Sequence, residues 1–386
     1  MSRLDELINE YCPDGVEYKP LDTLCNITTG KLNANAMQEN GRYPFFTCDA
    51  KPYRINEFAF DTEAILISGN GSQVGHVNYY NGKFNAYQRT YVLTDFRNID
   101  VKYLLHFLKG YLRNHINKLS KKGSVPYITL PVLSKFSIPV PPLPVQEEIV
   151  RILDNFTELT AELTAELTAR KKQYEHYRDE LLTFDDSVEW KTLGNVATYR
   201  RGSFPQPYGN TEWYDGDGAM PFVQVADISD NLQLVPNTKR KISILAQPKS
   251  VFAPKGSTII SLQGSIGRIA ITQYDAYIDR TVAIFNKISQ KILPRYFVYQ
   301  LQRVFAIKEK TARGSTIKTI TKEEFTDFLI PVPPIAEQQR IVDILDRFDA
   351  LCNDISKGLP AEIEARQKQY EYYRDKLLTF KEKKPA

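Results

Sequence analysis

Apolar side chains recur in steps of three and four over two long stretches of this chain, and in short runs elsewhere. The first stretch runs Val145, Ile149, Ile152, Phe156, Leu159, Leu163, Leu167, Arg170, Tyr174, Tyr177, Leu181, Phe184. The second runs Ile341, Ile344, Phe348, Leu351, Ile355, Leu359, Ile363, Arg366, Tyr370, Tyr373, Leu377, Phe380. Such spacing gathers the side chains on one helix face and predicts a coiled-coil seam. The other regions hold short β-type runs such as Ala64-Ile65-Leu66-Ile67 and Thr258-Ile259-Ile260-Ser261, punctuated by Gly, Asn and Asp. The predicted class is α+β, with two strand-rich globular segments, 1–136 and 185–328. Each is followed by a long helical segment, 137–184 and 329–386.

The two halves are copies. Ile138-Pro139-Val140-Pro141-Pro142-Leu143 returns as Ile330-Pro331-Val332-Pro333-Pro334-Ile335, and Arg170-Lys171-Lys172-Gln173-Tyr174 returns as Arg366-Gln367-Lys368-Gln369-Tyr370. Weaker echoes link Val16–Leu21 to Val188–Leu193, Arg89-Thr90 to Arg280-Thr281, and Lys102-Tyr103 to Arg295-Tyr296. Two bodies of one kind, related by pseudo-symmetry, are expected. The stretches between the landmarks diverge, as two similar sites with different targets would.

The prolines force an extended lead-in to each helix, because each restricts its predecessor. Pro144 suits a first helical turn, where Glu147 and Glu148 complement the helix dipole. Leu159, Leu163 and Leu167 break the three-four alternation with two steps of four, a stutter. They belong to a tandem, Thr160-Ala161-Glu162-Leu163 and Thr164-Ala165-Glu166-Leu167. Gly358 and Pro360 are expected to break or kink the second helix. The first helix starts where the first globular segment ends and finishes where the second begins, so the second helix must run back beside it. The pair is expected to be antiparallel, and roughly 40 residues at about 1.5 Å each would hold the globular segments up to about 60 Å apart.

A length of 386 residues exceeds one core. A formal net charge of +4 permits nucleic-acid binding without demonstrating it. Cys12, Cys25, Cys48 and Cys352 form no CxxC pair, so neither a disulfide framework nor a zinc knuckle is predicted. A charged N-terminus and the lack of a long apolar run predict a cytoplasmic chain with no membrane span.

Catalytic signatures are missing. HExxH, Walker A, GxSxG and GxGxxG do not occur, and Gly75 falls one residue late after Gly69-Asn70-Gly71. Val140-Pro141-Pro142-Leu143 lacks the amide or acid and the aromatic of an amino-methyltransferase tetrapeptide, and reads as a hinge. His76, His106, His115 and His176 are scattered and predict no metal site.

Basic elements recur instead. Val101 to Gln146 contains no acid, and both copies end in a basic-Gly-Ser loop, Lys121-Lys122-Gly123-Ser124 and Arg313-Gly314-Ser315 followed by Lys318. These can meet phosphates, the plain alternative being a solvated helix face. A glycine loop follows a strand in each copy, with Ser72, Gln73 and His76 matching Gln263, Ser265 and Arg268. Gln73, Gln263 and Arg268 could read base edges, the alternative being a hairpin turn with exposed polar residues. Arg89 and Arg280 suit either a phosphate contact or an internal pair, and Arg200 and Arg201 join the candidate DNA contacts. For Tyr174, Tyr177, Tyr370 and Tyr373, packing between helices ranks ahead of nucleobase stacking.

The repeated Ile-Pro-Val-Pro-Pro lead-in with Gln146 or Gln338, the ending Arg170 to Phe184 and its copy Arg366 to Phe380, and the Thr-Ala-Glu-Leu tandem resemble the specificity subunits of type I restriction-modification enzymes. The resemblance spans the whole chain. It implies two target-recognition domains, each reading half of a bipartite asymmetric site in double-stranded DNA. It implies helices that bind two modification subunits, which carry S-adenosylmethionine and methylate adenine, and restriction subunits that use ATP and Mg. No cofactor and no chemistry would reside on this chain. The competing readings are a self-contained DNA methyltransferase and a coiled-coil adaptor without DNA binding.

Overall fold

The structure, a computed structural model, describes residues 2–119, 127–229, 231–311, 322–353 and 357–383. The chain forms two compact units. One comprises Met1–Glu162 with Ile363–Ala386, the other Leu163–Glu362.

In the first unit, α1 (Arg3–Tyr11) starts at a capping box in which Ser2 and Asp5 exchange hydrogen bonds. The strands are β1 (Glu17–Pro20), β2 (Asn26–Thr29), β3 (Tyr43–Phe46), β4 (Tyr53–Ile55), β5 (Phe60–Ser68), β6 (Val77–Ala86), β7 (Thr90–Thr94) and β8 (Ser137–Val140). A short helix α2 (Leu21–Leu24) follows β1, and β1 pairs antiparallel with β8. The main sheet has the order β2-β7-β5-β6-β3-β4. Ala64–Ile67 is fully buried, because β5 has a strand on either side and both its faces are covered. Helix α3 (Val101–Leu119), begun by the Asp100 carboxylate accepting from the Tyr103 N–H at 2.9 Å, buries Tyr103, Leu104, Leu108 and Leu112. A short α4 (Leu130–Ser134) leads into β8. The core takes Val145, Ile149 and Leu153 from the start of α5 (Leu143–Leu181), and Leu378 from the chain's end.

The second unit repeats this plan. β9 (Trp190–Thr192) precedes α6 (Leu193–Val196) and pairs with β18 (Leu329–Pro331). Between them lie β10 (Ala197–Arg201), β11 (Met220–Val223), β12 (Arg240–Ile242), β13 (Val251–Ala253), β14 (Thr258–Ser261), β15 (Ile269–Ile271), β16 (Ala276–Ile278), β17 (Val282–Ile288), α7 (Pro294–Thr311) and α8 (Lys322–Thr326). Two sheets form, β10-β17-β14-β15 and β12-β11-β16-β13. The first unit's ten-residue β6 pairs with β5 and also, in parallel, with β3. In the second unit β15 pairs with β14 and the separate β16 takes the parallel pairing with β11. A turn after Ile271 thus splits one strand into two and one sheet into two.

Each proline lead-in is held by one buried glutamine. Gln146 accepts from the Asp100 N–H at 2.8 Å and donates to the Pro141 carbonyl at 2.7 Å. Gln338 accepts from the Leu293 N–H at 2.9 Å and donates to the Pro333 and Lys291 carbonyls, both at 2.8 Å. Tyr103 and Tyr296 add a hydroxyl to Pro139 and Pro331, at 3.0 and 3.2 Å. These side chains supply donors to the Pro139, Pro141, Pro331 and Pro333 carbonyls of the lead-ins.

The two helical runs differ in continuity. α5 runs unbroken, whereas the second run divides into α9 (Ile335–Asn353) and α10 (Leu359–Leu377), as Gly358 and Pro360 predict. Ile355 lies outside the described residues. The chain leaves the first unit within α5 and returns to it within α10, so the two helical runs pass between the units in opposite chain senses. Each unit is closed by the end of the other repeat's helix. In the first, Tyr370 accompanies His106 and Asp154, Phe156 stacks on Tyr373 at 5.2 Å, and the Tyr18 hydroxyl donates to the Phe380 carbonyl. In the second, Tyr174 and Tyr177 meet Phe348 at 6.4 and 5.6 Å, and Gln300 donates to the Leu182 carbonyl. Leu159 is exposed, and Leu163 and Leu167 are half-buried.

The two closures differ in charge. In the second unit Arg295 reaches Asp346 at 2.8 Å and Asp349 at 3.1 Å. In the first, Asp154 takes Lys102 at 2.7 Å and the buried His106 at 2.9 Å. Burial pushes the His106 imidazole below its ordinary pKa, against the opposing pull of Asp154. A depressed histidine adds stability above its unfolded value, about 6.5, and loses it as pH falls through the folded value. The melting temperature is therefore expected to drop between pH 7 and 5, and His106→Gln to flatten that drop. Parallel curves for the two proteins would remove His106 as the cause.

Candidate nucleic-acid interface

The glycine loops close identically in both units. After β5, Gly75 N donates to the Ser68 carbonyl at 2.8 Å and Ser68 N to the His76 carbonyl at 3.0 Å. After β14, Gly267 N donates to the Ser261 carbonyl at 3.0 Å and Ser261 N to the Arg268 carbonyl at 2.9 Å. Gly75 and Gly267 have φ of +77° and +81°, and a Cβ on Gly267 would stand 2.6 Å from the Phe305 ring. Positive φ and a helix side chain behind the loop explain glycine at both places.

The loops present the predicted polar side chains unequally. Ser72 is exposed and Gln73 half-buried, while His76 faces Asn78 at 3.3 Å. Ser265 is exposed and Gln263 half-buried. Arg268 instead turns inward and donates to the Ile228 carbonyl at 2.9 Å, so its guanidinium is engaged in the fold.

An arginine lies beside the loop in each unit, but the sequence match of Arg89-Thr90 with Arg280-Thr281 is one residue out of step. Ser68 pairs with Thr90 and Ser261 with Val282, so Arg89 corresponds to Thr281 and Arg280 to Gln88. Gly69 N donates to the Arg89 carbonyl at 2.9 Å, and Leu262 N to the Thr281 carbonyl at 2.8 Å. Arg89 is exposed at a cavity of about 150 Å³ lined by Thr29, Gly69, Asn70, Gln88 and Tyr91, among others. Arg280 is exposed and lies over the Tyr208 ring, 5.0 Å from its centroid. Arg200 and Arg201, also exposed, sit on β10 opposite Ile284 and Ala283 of β17, which begins two residues after Arg280. Loop, arginine pair and strand end therefore meet at one end of the sheet in the second unit. Lys121, Lys122, Ser124, Arg313, Ser315 and Lys318 lie outside the described residues. Among the described residues no group of three or more His, Cys, Asp or Glu could hold a metal. No helix among them is long and apolar enough to cross a membrane.

Residues 13–170 and 186–365 each match the family model of the type I restriction modification DNA specificity domain. The chain belongs to the type I restriction-modification specificity subunits. It is 32% identical over 385 residues to a putative type I restriction enzyme specificity subunit of Haemophilus influenzae, covering 95% of this chain and 96% of that one. It is 39% identical over 264 residues to the EcoR124I/EcoR124II specificity subunit of Escherichia coli, 64% of this chain and 63% of that one. Its fold is that of the type I restriction-modification system S subunit from M. genitalium, with a TM-score of 0.58 at 17% identity over 94% of this chain and 96% of that one. Specificity subunits recognise DNA and leave the chemistry to other subunits.

Sequence reading missed one feature of this specificity subunit. Tyr43-Pro44-Phe45 pairs with Tyr53-Arg54-Ile55 in the same register as Met220-Pro221-Phe222 with Arg240-Lys241-Ile242. Exposed Arg54 and Lys241 thereby occupy equivalent places, opposite a proline. The available signal was the shared Pro-Phe dipeptide, too short to stand out in divergent sequence.

Proposed function

We propose that the globular segments 1–136 and 185–328 are two target-recognition domains, each reading one half of a bipartite, asymmetric site in double-stranded DNA. The observation that carries this is the duplicated glycine loop, closed by the same pair of backbone hydrogen bonds in both units and set beside an exposed arginine in each. Two recognition ends of one design with different side chains suit a target with two unlike halves. The helical segments 137–184 and 329–386 scaffold two modification subunits, for which the exposed Tyr177 and Tyr372 offer contact surface. S-adenosylmethionine belongs to those subunits, and ATP and Mg to restriction subunits that join the same assembly on cytoplasmic DNA.

Phosphate contacts predict steep salt dependence. With about 6–10 of them, affinity for duplex DNA is expected to fall roughly 10³- to 10⁵-fold between 50 and 200 mM salt, read by fluorescence anisotropy. A coiled-coil adaptor would show no such affinity. Purified chain with S-adenosylmethionine and DNA is expected to transfer no methyl group until modification subunits are added. Transfer by the chain alone would make it a self-contained methyltransferase.

A further inference from the structure

The second unit carries an aromatic cluster built around Phe204. Its ring lies 4.7 Å from Phe222, 4.8 Å from Tyr208 and 5.3 Å from Tyr214, and Trp213 packs on the same group. Three exposed cations rest on its rim. Arg280 lies over Tyr208 at 5.0 Å, Arg240 over Tyr214 at 4.8 Å, and Lys249 over Trp213 at 4.7 Å.

These cations differ from those at the helix junctions. Arg295 is matched by Asp346 and Asp349, and Arg178 by Asp179. Among the described residues no carboxylate forms an ion pair with Arg240, Lys249 or Arg280. Glu212, Asp215 and Asp217 lie in the adjoining loop, yet none comes within pairing distance of the three. An aromatic face holds a cation in place without neutralising it, so the full charge remains available to an anionic partner.

Arg280 is the most firmly set of the three. Beneath it, the Tyr208 hydroxyl hydrogen-bonds the buried Asp279 carboxylate, whose other oxygen takes Gln224 at 3.4 Å. The Tyr214 hydroxyl ties the Tyr208 carbonyl at 2.8 Å. The backbone is pinned on both sides, Asp279 N donating to Val223 at 3.0 Å and Val282 N to the Asp279 carbonyl at 2.9 Å. The next residue, Thr281, holds the glycine loop through Leu262.

We propose that the Phe204 cluster is the DNA face of the second recognition domain. Arg280 reads a base there, Tyr208 and Asp279 position it, and Arg240 and Lys249 hold the phosphate backbone. The assignment rests on the split-site reading above and moves the reading role from Arg268, whose guanidinium is engaged inside the fold, to Arg280. A guanidinium supported on a ring and left without a carboxylate partner suits a bidentate contact to guanine O6 and N7, whereas a phosphate contact needs no such support.

The test uses the full chain assembled with its modification subunits and maps methylated sites by sequencing. Arg280→Ala is expected to relax one position, a guanine pair, in the half-site of the second domain. The original site should be bound about ten- to hundredfold more weakly, with the other half-site unchanged. Arg280→Lys should fail to restore that position, because an ammonium cannot make the bidentate contact. Tyr208→Phe keeps the ring but frees it from Asp279, and should relax the same position more mildly than Tyr208→Ala. Arg240→Ala and Lys249→Ala should weaken binding to every sequence alike and lower the salt slope by about one each. The assignment is overturned if Arg280→Ala, with unaltered thermal unfolding, leaves the second half-site map unchanged or weakens all DNA equally. A wild-type assembly that methylates no split site counts instead against the split-site function.

Discussion

Deleting Thr164-Ala165-Glu166-Leu167 is expected to leave both half-site sequences intact and to change the number of unread base pairs between them. These residues lie in the uninterrupted helix α5. Their removal joins Leu163 to Thr168, so the next seam position, Arg170, still follows a leucine by three. The seam therefore keeps its face, and the deletion acts on length and rotation. Four helical residues correspond to about 6 Å and a net turn of about 40°. At about 3.4 Å per base-pair step along each strand, that is one to two steps. Adding a third unit should move the gap the other way. Inserting one alanine after Leu163 makes a contrasting control, since about 100° of rotation carries the following seam residues off their face. It should abolish methylation. The effect is close to all-or-none, because a site with the wrong gap can satisfy only one recognition domain at a time. A methylome of cells carrying each variant with the modification subunits gives the gap directly. An unchanged gap in the deletion variant would refute the ruler.

Gln338→Leu is expected to be among the most destabilising single substitutions in the second unit. Gln338 is fully buried and serves the Leu293 N–H and two carbonyls, those of Pro333 and Lys291. Leucine matches its size and removes all three partners' bonds. A buried polar group left unpaired costs about 1–3 kcal/mol, so the loss should total roughly 3–5 kcal/mol. Gln338→Glu tests whether the bonds or the shape matter. The carboxylate keeps the acceptor but places a buried negative charge against two carbonyl oxygens, so it should be at least as damaging. Gln146→Leu should act similarly in the first unit, where Asp100 and Pro141 lose their partner. Urea unfolding of the full chain measures the effect. A Gln338→Leu midpoint equal to that of the wild type would show that the lead-in is held by packing alone.

Much of this architecture was legible locally. Pro144 in the first turn of α5, the division of the second helix near Gly358 and Pro360, and the paired glycine loops all follow from backbone restrictions that act over a few residues. The duplicated blocks announced two bodies. The helical runs were legible because a three-four period has one structural meaning over 40 residues. The same means failed for β6, where one strand in the first unit becomes two in the second. Short runs such as Ile269–Ile271 and Ala276–Ile278 do not say which neighbour they will pair with.

The candidate site divides in the same way. Arg268 and Arg280 look equivalent in sequence, each a lone arginine at the edge of a strand-like run. The fold turns the first onto the Ile228 carbonyl and leaves the second exposed on Tyr208, 72 residues earlier in the chain. Nothing near Arg280 in sequence foretells that tyrosine. The cations Arg240 and Lys249 were invisible for the same reason, since their importance lies in missing carboxylate partners.

By itself, the sequence determined the duplication, the class, the helical runs and the family, because repeats, periodicity and proline or glycine restrictions are properties of neighbouring residues. Only the tertiary structure decided that each unit is closed by the helix end of the other repeat, that Gln146 and Gln338 clamp the proline lead-ins, and which arginines remain available. Those outcomes depend on what burial brings together from distant parts of the chain. A side chain's charge or hydrogen-bonding capacity is either consumed or left free by neighbours that its own segment does not contain.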